Sequence, residues 1–207
     1  DTGDIIETAT CPVLLTDNAS VLHDKLMTLG ADVVVKSIQR IETEGEDIVL
    51  IPQNSQIESD DKRTTKTAPK LSREFCELTD FESAISMYNK IRGLSNYPGA
   101  WLKSPWGEMK ILETQPCIIQ PSKNPWEQEF SVFFGDENRN QRLKSEFMEY
   151  KSSPQEGPTN SSPFILLAHS LFLCCEDGNL LEIKRLKLSG KSEMDGKSFV
   201  NGLKSKK

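Results

Sequence analysis

The side chains that most often hold metals are scarce in this sequence. It has two histidines, His23 and His169, and five cysteines, with no Cys-x-x-Cys pair and no histidine-rich stretch. Structural zinc sites need four such ligands at short spacings, so the pattern argues against zinc, and no metal site is read. An odd cysteine count without framework spacing points to reduced thiols, as in a bacterial cytoplasm or an organelle interior. Also missing is an apolar run near the roughly 20 residues of a membrane-spanning helix. The most apolar window, 164–175, is short and is interrupted by His169. Base is not in excess either. The net charge of −6 excludes a chain coated in cations for nucleic acid, though not a local basic face. What is present is ordinary soluble material, 36% hydrophobic and 27% charged, in 207 residues that allow one domain or a domain with part of another.

The opening stretch, Asp1-Thr2-Gly3-Asp4-Ile5-Ile6 through Glu7 to Val13, reads as a tight turn feeding a strand. Ile5, Ile6 and Val13 supply β-branched apolar content. A carboxylate at the lip of an α/β sheet is placed for acid–base work, but on spacing alone Asp1 and Asp4 read first as turn-forming residues without chemistry. Asn18 and Ser20 offer caps ahead of a periodic segment from Val21 to Ile41, which reads as one or two amphipathic helices with Gly30 as a possible break. His23, beside Asp24, reads as a solvated helix residue. Ile48-Val49-Leu50-Ile51 is strand-like, and 54–70 is too polar to bury a core and reads as a linker.

Beyond the linker, Ile85, Tyr88, Ile91 and Leu94 fall at helical spacing behind Asp80 and Ser83, and Asn96-Tyr97-Pro98-Gly99 closes the helix as a turn. Short strands are expected at Ala100–Leu102, Met109–Leu112 and Pro116–Ile119, a spacing that fits a small barrel. In 120–163, Gln141–Tyr150 reads as a helix, and Trp126, Phe130, Phe133 and Phe134 are too apolar for a fully solvated loop. Phe164–Cys175 and Leu180–Leu188 read as a hairpin around Glu176-Asp177-Gly178-Asn179. Lys184, Arg185, Lys187, Lys191 and the last lysines make the end of the chain locally basic, either as a solvated face or as a phosphate-facing patch.

These blocks resemble a known family. Asp1-Thr2-Gly3-Asp4-Ile5-Ile6, Cys11-Pro12-Val13, Leu22–Leu26 with Leu29-Gly30-Ala31, Ala68-Pro69-Lys70-Leu71-Ser72, Asn89–Leu94, Tyr97–Trp101, Leu188–Lys191 with Met194, and Phe199-Val200-Asn201-Gly202 occur in the order seen in methionyl-tRNA formyltransferases. Family members commonly have Asp-Trp at the position of Asp80-Phe81, and a much shorter connection in place of 120–163.

The resemblance implies an α/β-plus-β fold: the C-terminal part of a Rossmann-like formyltransferase domain followed by a small OB-like β-barrel. It assigns 1–53 to the end of the catalytic domain, 54–79 to a linker, and 80–207 to a tRNA-binding barrel with an insertion at about 120–163. The implied reaction moves a formyl group from 10-formyltetrahydrofolate to the methionine amine of initiator methionyl-tRNA, with no metal. Asp1 falls at the family's catalytic aspartate, which works beside an Asn-x-His motif found earlier in the chain. That motif does not occur here, so a partial and by itself inactive enzyme is expected. Lys66, Lys70 and Arg73 in the linker region are implied phosphate contacts, with Arg92, Lys184, Arg185 and Lys191 as further candidates. A monomer without membrane association is expected. The alternatives are a formyltransferase for an amino-sugar nucleotide and a non-catalytic tRNA-binding remnant.

Overall fold

The computed structural model describes residues 3–53, 68–79, 81, 83–120, 134, 136–152, 163–167 and 169–205. It contains two compact units, Asp1–Lys70 and Leu71–Lys207.

In the first unit, helix α1 runs unbroken over Ala19–Glu44. Asn18 caps it by accepting a hydrogen bond from the Val21 amide, which satisfies one of the first-turn donors. Gly30 does not break the helix. A central glycine costs only about 1 kcal/mol against alanine, less than the hydrogen bonds of the turns around it would lose. The chain leaves α1 through Gly45, whose φ of 56° is comfortable for a residue without Cβ, and a single 3-10 turn, Gly45–Asp47. The two strand-like segments of the sequence meet in one antiparallel bridge, with Ile5 and Ile51 exchanging backbone hydrogen bonds of 2.8 and 2.9 Å. Arg40 joins this bridge to the helix. It donates to the Ile6 carbonyl and pairs with Glu44 and Glu7.

The second unit is a curled antiparallel sheet. β1 (Ala100–Ser104), β2 (Gly107–Cys117), β5 (Leu180–Leu188), β4 (Ser170–Cys174) and β3 (Phe164–Leu167) are adjacent in that order, and β6 (Glu193–Asp195) also pairs with β5. No ladder joins β1 to β3 among the described residues, so the expected barrel is a half-barrel of OB-like character. β2 is one strand of 11 residues where the sequence pattern indicated two short ones. Its register against β5 shifts between Ile111 and Thr114, and such an irregularity bends and twists a strand. The bend reads as a strand end in the hydrophobic pattern.

The window 164–175 is also different from expectation. It is two strands, paired from Phe164↔Leu173 to Leu167↔Ser170, with His169 at φ 63° in the turn. No Gly, Pro or Asn marks that turn, so the apolar run hid it.

Three helices cover the sheet. Helix α2 (Ala84–Leu94) buries Ala84, Met87, Tyr88, Ile91 and Leu94. Its first turn receives two side-chain caps, Ser83 to the Ser86 amide and Asp177 to the Ala84 amide. Asp177 lies in the β4–β5 loop, where Asn179 accepts from the Ile119 and Gln120 amides. The loop thus fixes a helix start and a strand end at once. Helix α3 (Glu137–Ser152) lies in the expected insertion. Its Leu143 and Phe147 are buried in a cluster with Cys117, Ile165, Phe172 and Leu180, so this part of the insertion packs on the sheet. Helix α4 (Gly196–Lys204) is capped by Asp195 and buries Phe199 and Val200. Gly196 is obligatory there, since a Cβ would lie 2.1 Å from the Ile183 carbonyl oxygen.

Candidate nucleic-acid interface

The segment 72–78 builds the most distinctive surface of the second unit. It runs beside β1, with the Leu78 amide donating to the Trp101 carbonyl and the Trp101 amide to the Cys76 carbonyl. That pairing places side chains from four elements side by side. The Arg73 guanidinium lies 4.3 Å from the Trp101 ring centroid, while the indole N–H donates 2.9 Å to the Arg73 carbonyl. Lys90, from α2, stands 5.7 Å from the Phe75 ring and donates to the Glu77 carbonyl. Trp101 faces Lys110 across the β1–β2 ladder, and Lys110 faces Lys187 across β2–β5. Lys110 donates 3.0 Å to the Pro98 carbonyl beside Tyr97, which is 90% exposed. Phe75 is 57% exposed. Trp101 itself is buried at 7% exposure beneath Arg73, so the rings open to a base are Phe75 and Tyr97, with cations beside them that can meet phosphates.

Carboxylates temper this face. Arg73 pairs with Glu108, and Arg185 pairs with Glu113 at 2.9 Å and Glu193 at 2.7 Å. A phosphate must displace these partners, which lowers the gain from each arginine. Lys70, Lys103, Lys187, Lys191 and Lys197 have no carboxylate partner among the described residues.

The candidates from the sequence fall in different places. Asp1 and Lys66 lie outside the described residues. Lys70 is exposed at the end of the first unit and Arg73 belongs to the aromatic face. Arg92 sits on α2, where Asn89 accepts from it at 2.8 Å and the Tyr88 ring lies 5.6 Å away. Lys184 and Arg185, neighbours in sequence, point to opposite sides of β5, as strand geometry requires. Arg185 shares its side with Lys187. Lys184 turns to Glu182 at 2.7 Å, together with Arg139 of α3 and the Ser170 hydroxyl. Burial raises the Glu182 carboxyl pKa, but the Lys184 and Ser170 hydrogen bonds and the Lys184 and Arg139 charges outweigh it and hold the group below its ordinary value. Glu182 thus ties the insertion helix to the sheet. Lys191 stands in the β5–β6 turn beside a cleft.

Phe75, Lys90, Trp101 and Lys110 were not marked as binding residues by the sequence. Lys90 and Trp101 stand in the matched blocks, where helix and strand spacing made them look like packing, whereas Phe75 and Lys110 lie outside those blocks. Buried thiols offer no chemistry here. Burial pushes Cys117 up to about 11, and Cys175 is pushed up further by burial and the Asp177 charge. No metal-ligating cluster occurs among the described residues.

The half-barrel sheet with its cations set among aromatic rings is the part of the chain that a known family of domains matches. Residues 70–204 match the model of the formyl transferase C-terminal domain, and the chain belongs to that family. The resemblance to methionyl-tRNA formyltransferases is also borne out by relatives of that name. The chain is 38% identical to the one from Phocaeicola vulgatus over 129 residues, covering 60% of this chain and 39% of that protein. It is 28% identical to the one from Parabacteroides distasonis over 204 residues, covering 99% of this chain and 52% of that protein. The chain therefore spans about two fifths to half the length of these relatives. Among solved structures, a variant of HypX from Aquifex aeolicus covers 99% of this chain and 28% of its own, with a TM-score of 0.56 at 13% identity, a likeness of fold alone.

Proposed function

We propose that this chain serves a methionyl-tRNA formyltransferase, with residues 71–207 gripping initiator tRNA while the catalytic domain formylates its methionine from 10-formyltetrahydrofolate. The aromatic–cation face built from Arg73, Phe75, Lys90, Trp101 and Lys110 carries this reading. Residues 1–53 are the end of a Rossmann-like catalytic domain on this reading, supported by the relative that aligns along 204 residues. The attacking amine must lose a proton and the departing tetrahydrofolate nitrogen must gain one. A carboxylate at Asp1 assists by holding a water that relays it and by keeping the histidine of the upstream motif charged. The carbonyl oxygen gains charge that a donor must meet, and this role belongs to the asparagine and histidine ahead of Asp1. Without them the chain should not formylate, whatever it binds.

Binding of initiator tRNA by the chain, followed by fluorescence anisotropy across a salt series, tests the reading. Expected is a log–log slope of about −2 to −4, from release of counterions at a few phosphates. Arg73→Ala and Lys110→Ala should each weaken binding about three- to tenfold. Salt-independent binding, or none, removes the tRNA-gripping role. Formylation by the chain alone would overturn the assignment of chemistry to residues outside it.

A further inference from the structure

The β1–β2 turn, the β5–β6 turn and helix α4 enclose an open cleft of about 540 Å³. Trp106, Met194, Phe199 and Leu203 form its apolar lining, and Lys191 reaches it from the turn. The volume lies within the ~300–1,000 Å³ of small-ligand sites. Trp106 is fixed in place by edge-to-face contacts with Phe164 at 5.4 Å and Phe199 at 5.1 Å, so its indole is preorganised. Lys191 is the cation of the lining and has no carboxylate partner among the described residues, whereas the two acids that flank Met194 are engaged. Glu193 pairs with Arg185, and Asp195 accepts from the Ser198 amide and hydroxyl at 2.8 and 2.6 Å.

We infer that this cleft takes one unstacked nucleotide of the bound RNA, its base against Trp106 and Met194 and its phosphate at Lys191. An indole and a thioether suit the flat face of any base, and a lone ammonium suits one phosphodiester. A nucleoside polyphosphate would want a cradle of amides as well, which the apolar lining lacks. The inference rests on the tRNA-binding reading and adds a second, separate point of contact to it.

The test is initiator tRNA binding by the full chain and two variants. Gly202 lines the cleft, and a Cβ there meets no atom within 4 Å, so Gly202→Phe brings a ring to the cleft from a position with room for its first carbon. It should weaken binding about tenfold, the worth of one stacked base, with the melting temperature kept. Lys191→Ala, a surface change, should lower the salt slope by about one. Binding by Gly202→Phe within twofold of the parent, at an unchanged melting temperature, overturns the cleft assignment while the aromatic–cation face stands. Should Gly202→Phe fail to fold, an unchanged slope for Lys191→Ala overturns it instead. Adenosine monophosphate competing for the cleft with no loss of RNA affinity in Gly202→Phe also overturns it, and marks a free-nucleotide site. If the parent chain binds no tRNA, both readings fall together.

Discussion

Helices α1 and α2 differ in a way their sequences do not announce. Both carry apolar residues at helical spacing, and α1 is more than twice as long, yet α1 buries no residue and α2 buries five of its eleven. Val21, Leu26, Val34, Ile38 and Ile41 of α1 are 41–56% exposed. The charge is divided as unevenly. Residues 1–70 hold 7 basic and 13 acidic side chains, and residues 71–207 hold 18 of each, so the whole excess of −6 belongs to the first unit. Amphipathic pattern makes a helix able to bury a face, but burial needs an opposing surface, which among the described residues α2 has and α1 does not. Whole-chain charge likewise said little about the unit that meets RNA on our reading, which is neutral, with cations placed singly.

The same kind of substitution should therefore act differently in the two units. The three tryptophans, Trp101, Trp106 and Trp126, all fall in the second unit, so their fluorescence reports its unfolding. Phe172→Ala, at a fully buried position, should cost about 3–5 kcal/mol in urea unfolding. Gly196→Ala should cost about 3 kcal/mol, at the upper end for overpacking, because its Cβ would press on backbone that cannot swing aside. A loss below ~1 kcal/mol for either would mean that the core around β5 is looser than described.

Glu182→Gln removes the charge that holds Arg139 and Lys184 and should cost about 1–3 kcal/mol. This residue also predicts the acid response. Its carboxyl pKa is lowered in the folded state, so its contribution is full above the unfolded value near 4.5 and is lost as pH falls through the folded one. Stability of the parent should thus drop below about pH 4.5 more steeply than that of Glu182→Gln. Parallel acid titrations would remove Glu182 from this role. Asp177→Ala loses contacts to α2 and to Asn179 and should cost about 1–2 kcal/mol, more than an exposed cap alone.

At the small end, Gly30→Ala in α1 should stabilise by about 0.5–1 kcal/mol, seen as a higher helix melting temperature by circular dichroism. A destabilising Gly30→Ala would show that something packs on that part of the helix. The contrast with Gly196 is direct: one glycine is a propensity defect in open space, and the other is a contact.

Much of the layout was legible locally. Asn18 and Ser83 announced their helices, and Asp177-Gly178 announced the β4–β5 loop, because caps and turns depend on residues within a few positions. The helix in 137–152 was also readable in outline, although its burial against Cys117 and Phe172 was not. The misses share a cause. The turn at His169 lacks a turn residue, and the β2 bend divided one strand in two, since register is set by partners and not by the strand itself. The candidate site was partly legible. Lys70, Arg73 and Lys191 could be picked out as basic residues in matched blocks, but pairing of Arg73 with Glu108 links positions 35 residues apart.

By itself the sequence determined the family, the absence of a spanning helix and of cysteine–histidine metal motifs, and the places where helices begin, since each depends on composition or short spacing. Tertiary structure decided which apolar faces found a partner, which cations kept a free charge, and which rings they stand over. Those outcomes depend on contacts between distant positions. The chain's pattern permits them, and only packing selects among them.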